Sequence, residues 1–333
     1  MPEPSFLVVR LGSLGDIVHA FPAVSGLRES FPKQPIVWLT HPKWKSLVET
    51  SSLASEIWTI ESRDMASVKA ACRRIRSFAF QTAIDYQGLW KSAALPFLAR
   101  IPRRVGFASE TIREFGVPIL YTDRIRITSA HVVDQNAELS RRAGAQNGVA
   151  PVELTVDAGS RAKIGALLAQ NGIGEYVVLS PGGGWRSKCW PAQRFGELAR
   201  RIREQLKLRC VLNFGPGEED LVRALIEAAG STSPLPVTGS LGELMALLSG
   251  TRCVVAGDTG PLHLADALRT PVVAIFGPTD PARNGPYFRT GEVLRAPNVE
   301  TTYKRRDEPH PSLLQLSVDE VFAAVQRVTG VHA

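Results

Sequence analysis

The chain has 333 residues, of which 44% are hydrophobic and 21% charged, with a formal net charge of +7 at pH 7. This length allows two domains with full cores, and the apolar fraction excludes an intrinsically disordered chain. The positive charge favours anionic partners: a nucleotide, a phosphorylated substrate or a negatively charged membrane leaflet. The sequence lacks the long Lys/Arg run and the aromatic-interleaved basic patch of nucleic-acid-binding proteins, so we expect no nucleic-acid partner.

The sequence also carries information about the compartment. No apolar stretch approaches the roughly 18 to 20 residues that a transmembrane helix needs. The first residues include an acid and run directly into a strand and a glycine turn, which is unlike a secretory signal. The cysteines at positions 72, 189, 210 and 253 lack metal-type or disulfide spacing. We therefore expect a protein of the reducing cytoplasm.

Strand-like and helix-like segments alternate along the first half, which predicts an α/β domain with a parallel sheet. Short apolar runs predict strands at residues 5–10, 35–40 and 82–85. Helices are predicted from the turn at 11–16 through about Ser30, and from about His131 to Arg142. Small and polar residues from Ala143 to Pro151 are typical of a linker. The first domain is accordingly predicted to cover residues 1–150.

The turn Gly12-Ser13-Leu14-Gly15-Asp16 holds a candidate for chemistry in this half. It lacks the G-x-G-x-x-G spacing of a dinucleotide-binding turn. Asp16 falls where a helix begins, so its carboxylate either caps that helix or faces a cleft and accepts a proton from a bound hydroxyl. A helix N-terminus favours the ionised carboxylate, a weak base that a late, concerted proton transfer would tolerate. The residues alone leave both roles open.

The second half restarts the alternation, with strands predicted at residues 176–180, 210–214, 252–256 and 271–276. An amphipathic helix is predicted at 193–205 and a last one at about 317–328. The second domain is predicted to cover residues 151–316, and the sequence leaves open whether the last helix packs back on the first domain. Two Rossmann-like halves with their turns on one sheet edge suggest a cleft between facing domains.

The segment Gly257–Asp266 directly follows the buried strand 252–256. Pro261 suits the first turn of a helix, whose unpaired backbone N–H groups and positive dipole end favour a phosphate. His263, one turn further, could donate to the same oxygens. The alternative is a tight turn that needs glycine, with His263 as a satisfied buried side chain. The next strand also ends in a polar turn, Gly277–Pro281, and two such turns on one edge favour a ligand site.

Several strings together resemble glycosyltransferase family 9, the ADP-heptose:lipopolysaccharide heptosyltransferases, whose fold is GT-B with two facing Rossmann-like domains. The resemblance covers nearly the whole chain and is strongest for type I heptosyltransferases. The matching strings are Gly12–His19 with Pro22-Ala23, Asp85–Ala93, Ser187–Pro191, Asp258–Leu264 and Gly277–Pro281.

The resemblance implies roles for individual residues. Asp16 would be the general base that deprotonates the acceptor hydroxyl, and Lys188 would bind the donor diphosphate. Thr259, Gly260 and His263 would hold the same phosphates, while Glu218 and the backbone near Gly239 would face ribose and adenine. Ser13, Asp85 and Lys91 are weaker candidates for the acceptor side. Asp85 could instead end a strand and bond to nearby amides, and Lys91 could be an ordinary surface residue.

The resemblance also implies the chemistry and the partners. The family inverts the anomeric carbon by direct displacement, and no Asp-x-Asp string of the metal-binding kind occurs here. We therefore expect no metal site and no required cofactor. The implied partners are ADP-heptose, a phosphorylated sugar–lipid acceptor of the inner-core, Kdo–lipid A type, and the anionic inner face of the cytoplasmic membrane. Contact with that membrane would be peripheral and salt-sensitive.

The acceptor side departs from the family pattern. Type I enzymes carry a basic, aromatic-containing insertion where this chain has the short stretch Ile60–Met65. Four cations that follow on a predicted helix either substitute for it or form a solvated face: Lys69, Arg73, Arg74 and Arg76. Tyr303–Arg306 looks more like the second heptosyltransferase. Two alternatives stay open: a GT-B transferase with another nucleotide sugar or a different glycan or protein acceptor, and a nucleotide-binding module without turnover.

Overall fold

The computed structural model describes residues 5–61, 65–110, 112 and 114–331. The chain separates into two compact units, Met1–Thr155 and Val156–Ala333. This division falls just after the predicted linker. Within the short stretch Ile60–Met65, which stands in place of the basic insertion of type I enzymes, Ser62, Arg63 and Asp64 lie outside the described residues.

The described part of the first unit is an α/β layer structure. Its strands are β1 (Phe6–Val9), β2 (Ile36–Thr40), β3 (Glu56–Thr59), β4 (Thr82–Asp85), β5 (Arg103–Phe107) and β6 (Asp123–Ile125). Its helices are α1 (Leu14–Ser30), α2 (Lys45–Glu49), α3 (Met65–Phe78), α4 (Trp90–Leu98) and α5 (Val132–Ala143), with 3-10 turns at Pro42–Trp44 and Val117–Leu120.

These strands form one parallel sheet in the order β3-β2-β1-β4-β5-β6. The strands β1, β2 and β4 are buried along their whole length, as expected for strands covered by helices on both faces. From β1 the chain adds β2 and β3 on one side of the sheet. It then crosses back past β1 and adds β4, β5 and β6 on the other side. Val9 pairs with Asp85, so the turns after β1 and β4 begin side by side at this reversal.

The described part of the second unit repeats this plan. Its strands are β7 (Tyr176–Ser180), β8 (Arg209–Asn213), β9 (Leu235–Val237), β10 (Cys253–Gly257), β11 (Val272–Phe276) and β12 (Gly291–Arg295). Its helices are α6 (Ala158–Gln170), α7 (Ala192–Gln205), α8 (Glu219–Ala229), α9 (Leu241–Ser249), α10 (Gly260–Ala267), α11 (Pro281–Asn284), α12 (Pro311–Leu314) and α13 (Val318–Thr329), with 3-10 turns at Arg186–Lys188 and Gly230–Thr232.

The sheet of the second unit is also parallel, in the order β12-β11-β10-β7-β8-β9. The winding reverses between β7 and β10, where Ala256 pairs with Ser180. The turns after these two strands therefore start next to each other. In parallel sheets such a reversal opens a crevice at the carboxyl edge, where ligands bind.

The last helix, α13, belongs to the core of the second unit, which corrects the predicted domain limit at residue 316. Its apolar face, with Val321, Phe322 and Val325, is buried together with Leu198 and Ile202 of α7. An amphipathic helix is stable where its apolar face is covered, and the sheet and α7 supply that cover. None of the described helices is both long and apolar enough to cross a bilayer.

Candidate functional site

The Lys188 ammonium and the Asp258 carboxylate form a buried ion pair at the reversal in the second unit. Lys188 follows β7 in the turn Arg186–Lys188, Asp258 follows β10, and Nζ lies 2.6 Å from Oδ2. Gly257 permits this approach, because a Cβ there would lie 2.8 Å from the carbonyl oxygen of Lys188. The ammonium also lies 4.4 Å from the ring centroid of Trp185. The Lys188 side chain keeps 16% of its surface exposed, so a ligand can still reach it.

His263 joins the same carboxylate from the first turns of α10. Its Nε2 donates to Asp258 Oδ1 at 3.1 Å. Burial alone would raise the pKa of Asp258, but the His263 hydrogen bond and the charges of His263 and Lys188 hold it well below its usual range. Asp258 is therefore ionised at neutral pH and holds two of the predicted donor-binding side chains together. No role was predicted for Asp258 from the sequence, although its position after a buried strand is a usable signal.

Thr259 and Gly260 form the N-terminus of α10 beside this ion pair. Thr259 is the N-cap residue and Gly260 is the first residue of the helix. Glycine at 183 lets the turn after β7 approach, because a Cβ there would lie 2.9 Å from Thr259 Cγ2. The first N–H groups of a helix have no partner within it and attract anions. A lysine ammonium beside such a terminus is suited to bind a diphosphate.

Glu218 and Gly239 lie on turns farther along the same sheet edge. The Glu218 carboxylate accepts a hydrogen bond from the Gly215 N–H at 2.8 Å and lies against Gly182 of the turn after β7. This places Glu218 next to the strand that leads to Lys188. Gly239 is exposed in the turn between β9 and α9, two strands away from β7. Among the contacts described for the chain, none joins Gly239 to the Lys188 ion pair.

Asp16 lies in the first turn of α1 and is held by two neighbours. Its Oδ1 lies 2.7 Å from Arg10 Nη2, and its Oδ2 accepts from the Ser13 N–H at 2.9 Å and the Ser13 hydroxyl at 3.0 Å. The side chain is nevertheless 42% exposed. Asp16 therefore makes the contacts of a residue at a helix N-terminus and also keeps the exposure that a general base needs.

Arg10 is a residue that the sequence analysis missed. It follows β1, its side chain is only 8% exposed, and its guanidinium also donates to the Tyr86 carbonyl in the turn after β4. Trp38 Nε1 donates to the Arg10 carbonyl at 3.3 Å. Arg10 therefore links β1, β2 and β4 and fixes the position of the Asp16 carboxylate. Its signal in the sequence is a charge at the end of an otherwise apolar strand.

A cleft of about 350 Å³ opens at the carboxyl edge of the first sheet. Two of the weaker acceptor candidates, Ser13 and Lys91, lie in its wall. The Lys43 ammonium lies 4.9 Å from the ring centroid of Trp44, so a cation and an aromatic ring stand together. The cleft thus combines cationic, amide and aromatic groups suited to an anionic sugar. Its lining residues are Leu11, Gly12, Ser13, His41, Lys43, Trp44, Ile60, Gln87 and Lys91.

Asp85 does not line this cleft, which corrects its prediction as an acceptor-side residue. It is 1% exposed and accepts hydrogen bonds from the N–H groups of Gln87 and Gly88 and the hydroxyls of Ser92 and Tyr121, at 2.7 to 3.2 Å. Burial raises the pKa of Asp85, although these four bonds oppose the effect. Asp85 instead fixes the turn that carries Gln87 and the start of α4.

The described residues contain no group of three His, Cys, Asp or Glu side chains arranged to hold a metal ion.

The family model of glycosyltransferase family 9 (heptosyltransferase) matches residues 68–312, which is most of the chain. The chain belongs to this family. As a family 9 protein it is a glycosyltransferase.

Similar proteins agree with this assignment. Lipopolysaccharide heptosyltransferase 1 of Escherichia coli K12 is 29% identical over 87% of this chain and 93% of its own length. The Pseudomonas aeruginosa protein of the same name is 28% identical over 85% of this chain and 81% of its own length. Both therefore share most of their length with this family 9 chain.

Solved structures support the fold. A family 9 glycosyltransferase from Veillonella parvula has a TM-score of 0.83, with 20% identity over 98% of this chain and 97% of its own. Escherichia coli heptosyltransferase WaaC with ADP has a TM-score of 0.75, with 25% identity over 97% of this chain and 99% of its own. The predicted α/β fold class of the GT-B type, with two Rossmann-like units, is confirmed.

Proposed function

We propose that this family 9 glycosyltransferase moves heptose from ADP-heptose to an inner-core, Kdo–lipid A type acceptor of lipopolysaccharide, with inversion at the anomeric carbon. The observation that carries the proposal is the Lys188–Asp258–His263 cluster beside the N-terminus of α10. The similar WaaC protein has been solved with ADP and with ADP-2-deoxy-2-fluoro heptose. Heptosyltransferase 1 is also the name of several curated relatives.

The donor half of the proposal rests on charge. The leaving group is a nucleoside diphosphate, which gains negative charge as the bond from the anomeric carbon to its oxygen breaks. The Lys188 ammonium supplies positive charge, and the N–H groups at Thr259 and Gly260 supply hydrogen-bond donors, for that oxygen and its neighbours. His263 donates to the Asp258 carboxylate that positions Lys188. We propose that these groups stabilise the departing diphosphate and that neither a metal nor another cofactor is required.

The acceptor half rests on Asp16 and on the cleft of the first unit. In the proposed step the acceptor oxygen attacks the anomeric carbon, its proton passes to the Asp16 carboxylate, and the sugar–diphosphate bond breaks, so the configuration inverts. Arg10 and Ser13 hold the carboxylate in one orientation while it stays exposed. Lys43, Lys91 and the Trp44 ring in the cleft are suited to an acidic or phosphorylated sugar.

A lipid-linked acceptor also has a consequence for where in the cell the protein works. A lipid-linked acceptor is presented at a membrane surface, and the chain carries a net charge of +7. We propose that the protein works in the cytoplasm, in peripheral contact with the anionic inner face of the cytoplasmic membrane. Such contact is electrostatic in part, so high ionic strength is expected to release the protein from isolated membranes.

The test is product formation from ADP-heptose and a truncated, deacylated Kdo-lipid acceptor, followed by mass spectrometry. Asp16→Asn keeps an oxygen for the Ser13 contacts and removes the base, so kcat should fall at least about a hundredfold while ADP affinity stays near that of the wild type. Glu29→Gln, an exposed carboxylate at the other end of α1, is the matched control and should keep full activity.

Three outcomes count against the proposal. A wild-type rate in Asp16→Asn removes the assignment of the base. Turnover with another nucleotide sugar, and none with ADP-heptose, supports the alternative of a different GT-B transferase. Binding of ADP without consumption of any donor supports a nucleotide-binding module that lacks turnover.

A further inference from the structure

One region of the first unit concentrates exposed apolar side chains. Five of the eight exposed large hydrophobic side chains among the described residues fall between positions 90 and 119. Phe115 is fully exposed and Ile119 is 68% exposed. Contiguous exposed apolar surface is uncommon on soluble proteins and marks an interaction site. We call this surface the apolar patch, and its members are Trp90, Phe97, Leu98, Phe115 and Ile119.

The apolar patch is held together by contacts beneath it. Ala93 of α4 packs against Val117 and Leu120 of the 3-10 turn, so the buried sides of these two elements face each other. The Trp90 Nε1 donates to the Phe115 carbonyl at 3.2 Å, and its backbone N–H donates to the Glu114 carboxylate at 2.7 Å. The outward side chains therefore belong to one ordered surface, not to a loose segment.

Cations border the apolar patch. Lys69, Arg73 and Arg76 follow one another at four and three residues along α3, so they share one exposed face of that helix. The Arg76 guanidinium donates to the Leu98 carbonyl at the end of α4, which places this face beside the patch. The Arg104 guanidinium lies 5.5 Å from the ring centroid of Phe97. The surface is thus bordered by cations at its Phe97 and Leu98 end, while the Glu114 carboxylate lies at the Trp90 end.

This combination identifies one occupant. Aromatic and aliphatic side chains enter the interface of a bilayer, while lysine and arginine bind its anionic headgroups. A second copy of the chain would carry the same net charge of +7, so it matches the basic border less well than an anionic leaflet does. The first turn of α4 also carries both Trp90 of the patch and Lys91 of the cleft. A surface that docks on lipid through α4 would therefore hold the cleft close to headgroups.

We propose that the apolar patch and its basic border dock the first unit on an anionic lipid leaflet. This proposal rests on the proposed function, since it identifies the source of a lipid-linked acceptor. It assigns a task to Lys69, Arg73 and Arg76, for which the sequence left both a substrate role and a solvated face open. The docking needs no change in the Lys188 cluster or in Asp16.

The experiment is co-sedimentation of the full chain with vesicles that mix phosphatidylglycerol and phosphatidylcholine, and with vesicles of phosphatidylcholine alone. We expect binding to the anionic vesicles that weakens at high salt. The double variant Phe115→Ser/Ile119→Ser should lower that binding at least about tenfold, and Lys69→Gln/Arg73→Gln should lower it and remove most of its salt dependence. Val293→Ser/Leu314→Ser, which changes exposed apolar residues of the second unit, is the matched control and should bind as the wild type does.

Two further readouts separate this proposal from the proposed function. Transfer to the deacylated, water-soluble acceptor should be unchanged in Phe115→Ser/Ile119→Ser, whereas transfer to the lipid-linked acceptor should fall. Vesicle binding without any product supports docking and overturns the proposed function. Product without vesicle binding, or equal vesicle binding by the patch variant and the wild type, overturns docking.

Sedimentation velocity tests the alternative that the apolar patch binds a second copy of the chain. If the wild type is a dimer and Phe115→Ser/Ile119→Ser is a monomer, docking on lipid is overturned.

Discussion

Lys188 and His263 bind different oxygens of one buried carboxylate, that of Asp258. Lys188 Nζ lies 2.6 Å from Oδ2, and His263 Nε2 lies 3.1 Å from Oδ1. His263 follows Asp258 by five residues in the chain, whereas Lys188 is 70 residues away. Lys188 meets Asp258 because β7 and β10 are neighbours in the sheet and their turns leave the same edge, whereas His263 reaches it from the first turns of α10. The geometry of the proposed donor site is thus a product of strand order.

Replacing Lys188 should damage donor use more than any other single change in the second unit. Lys188→Ala removes a cation from the developing charge of the diphosphate, so kcat/KM for the donor should fall at least about a hundredfold. Lys188→Arg should restore only part of this, because a planar guanidinium does not replace a compact ammonium in a tight contact. Steady-state kinetics and calorimetric ADP binding measure both effects. Lys33→Ala, an exposed lysine of the first unit, should leave both values unchanged.

Replacing Asp258 should give a loss of stability that depends on pH. Asp258→Asn leaves Lys188 without its partner in a largely buried place, which should cost about 3 kcal/mol at pH 7. The pKa of Asp258 is held below its usual range, so its contribution is complete above the unfolded-state pKa and is lost as the pH falls through the folded-state pKa. The difference in unfolding free energy between wild type and variant should therefore shrink below about pH 4.

Urea unfolding across this pH range measures that difference. Asp220→Asn changes an exposed carboxylate whose surface pair with Arg223 is weak, so it should shift stability by less than about 0.5 kcal/mol at any pH. A constant difference between wild type and Asp258→Asn from pH 3 to pH 7 would show that the Asp258 carboxylate carries no special charge stabilisation.

The four cysteines should resist alkylation in the folded protein. All four are buried, and burial raises the pKa of Cys189 to about 11 and that of Cys210 to about 12, with Cys72 and Cys253 shifted in the same direction. At pH 8 only about one Cys189 thiol in a thousand is then ionised, and the thiolate is the reactive form. Mass spectrometry after iodoacetamide treatment should find little modification in the native protein and four modified sites after unfolding in urea. Rapid labelling of one native cysteine would show that its surroundings open.

The centre of each sheet could be predicted from the sequence, whereas the margins could not. The apolar runs at β1, β2, β4, β7, β8, β10 and β11 all predicted strands, and these form the middle of the two sheets. The strands that were missed are β3, β5, β6, β9 and β12, which lie at or next to an edge. Edge strands are short and partly exposed, so their sequences mix polar and apolar residues and lack the signal of full burial.

The same physical limit applies to the site. Lys188, Thr259, Gly260 and His263 were found because short strings around them carry the family pattern, and the structure places them together. The cleft lined by Lys43, Trp44 and Lys91 was not predicted as a unit, because it forms from turns after four strands whose order the sequence does not state. Asp85 was misplaced for a related reason: Tyr121, which buries it and donates to it, lies 36 residues away.

Both sheets carry their chemistry on turns that leave strands buried on both faces. Mutations in those strands would lower stability because they disturb a close-packed core. Mutations in the turns would mainly change ligand binding. Since the turns with Lys188 and those with Asp16 belong to separate compact units, the proposed donor site and the proposed acceptor site can change independently during evolution. Exchange of the residues around His41 to Trp44 would likewise alter the proposed acceptor cleft and leave the Lys188 cluster unchanged.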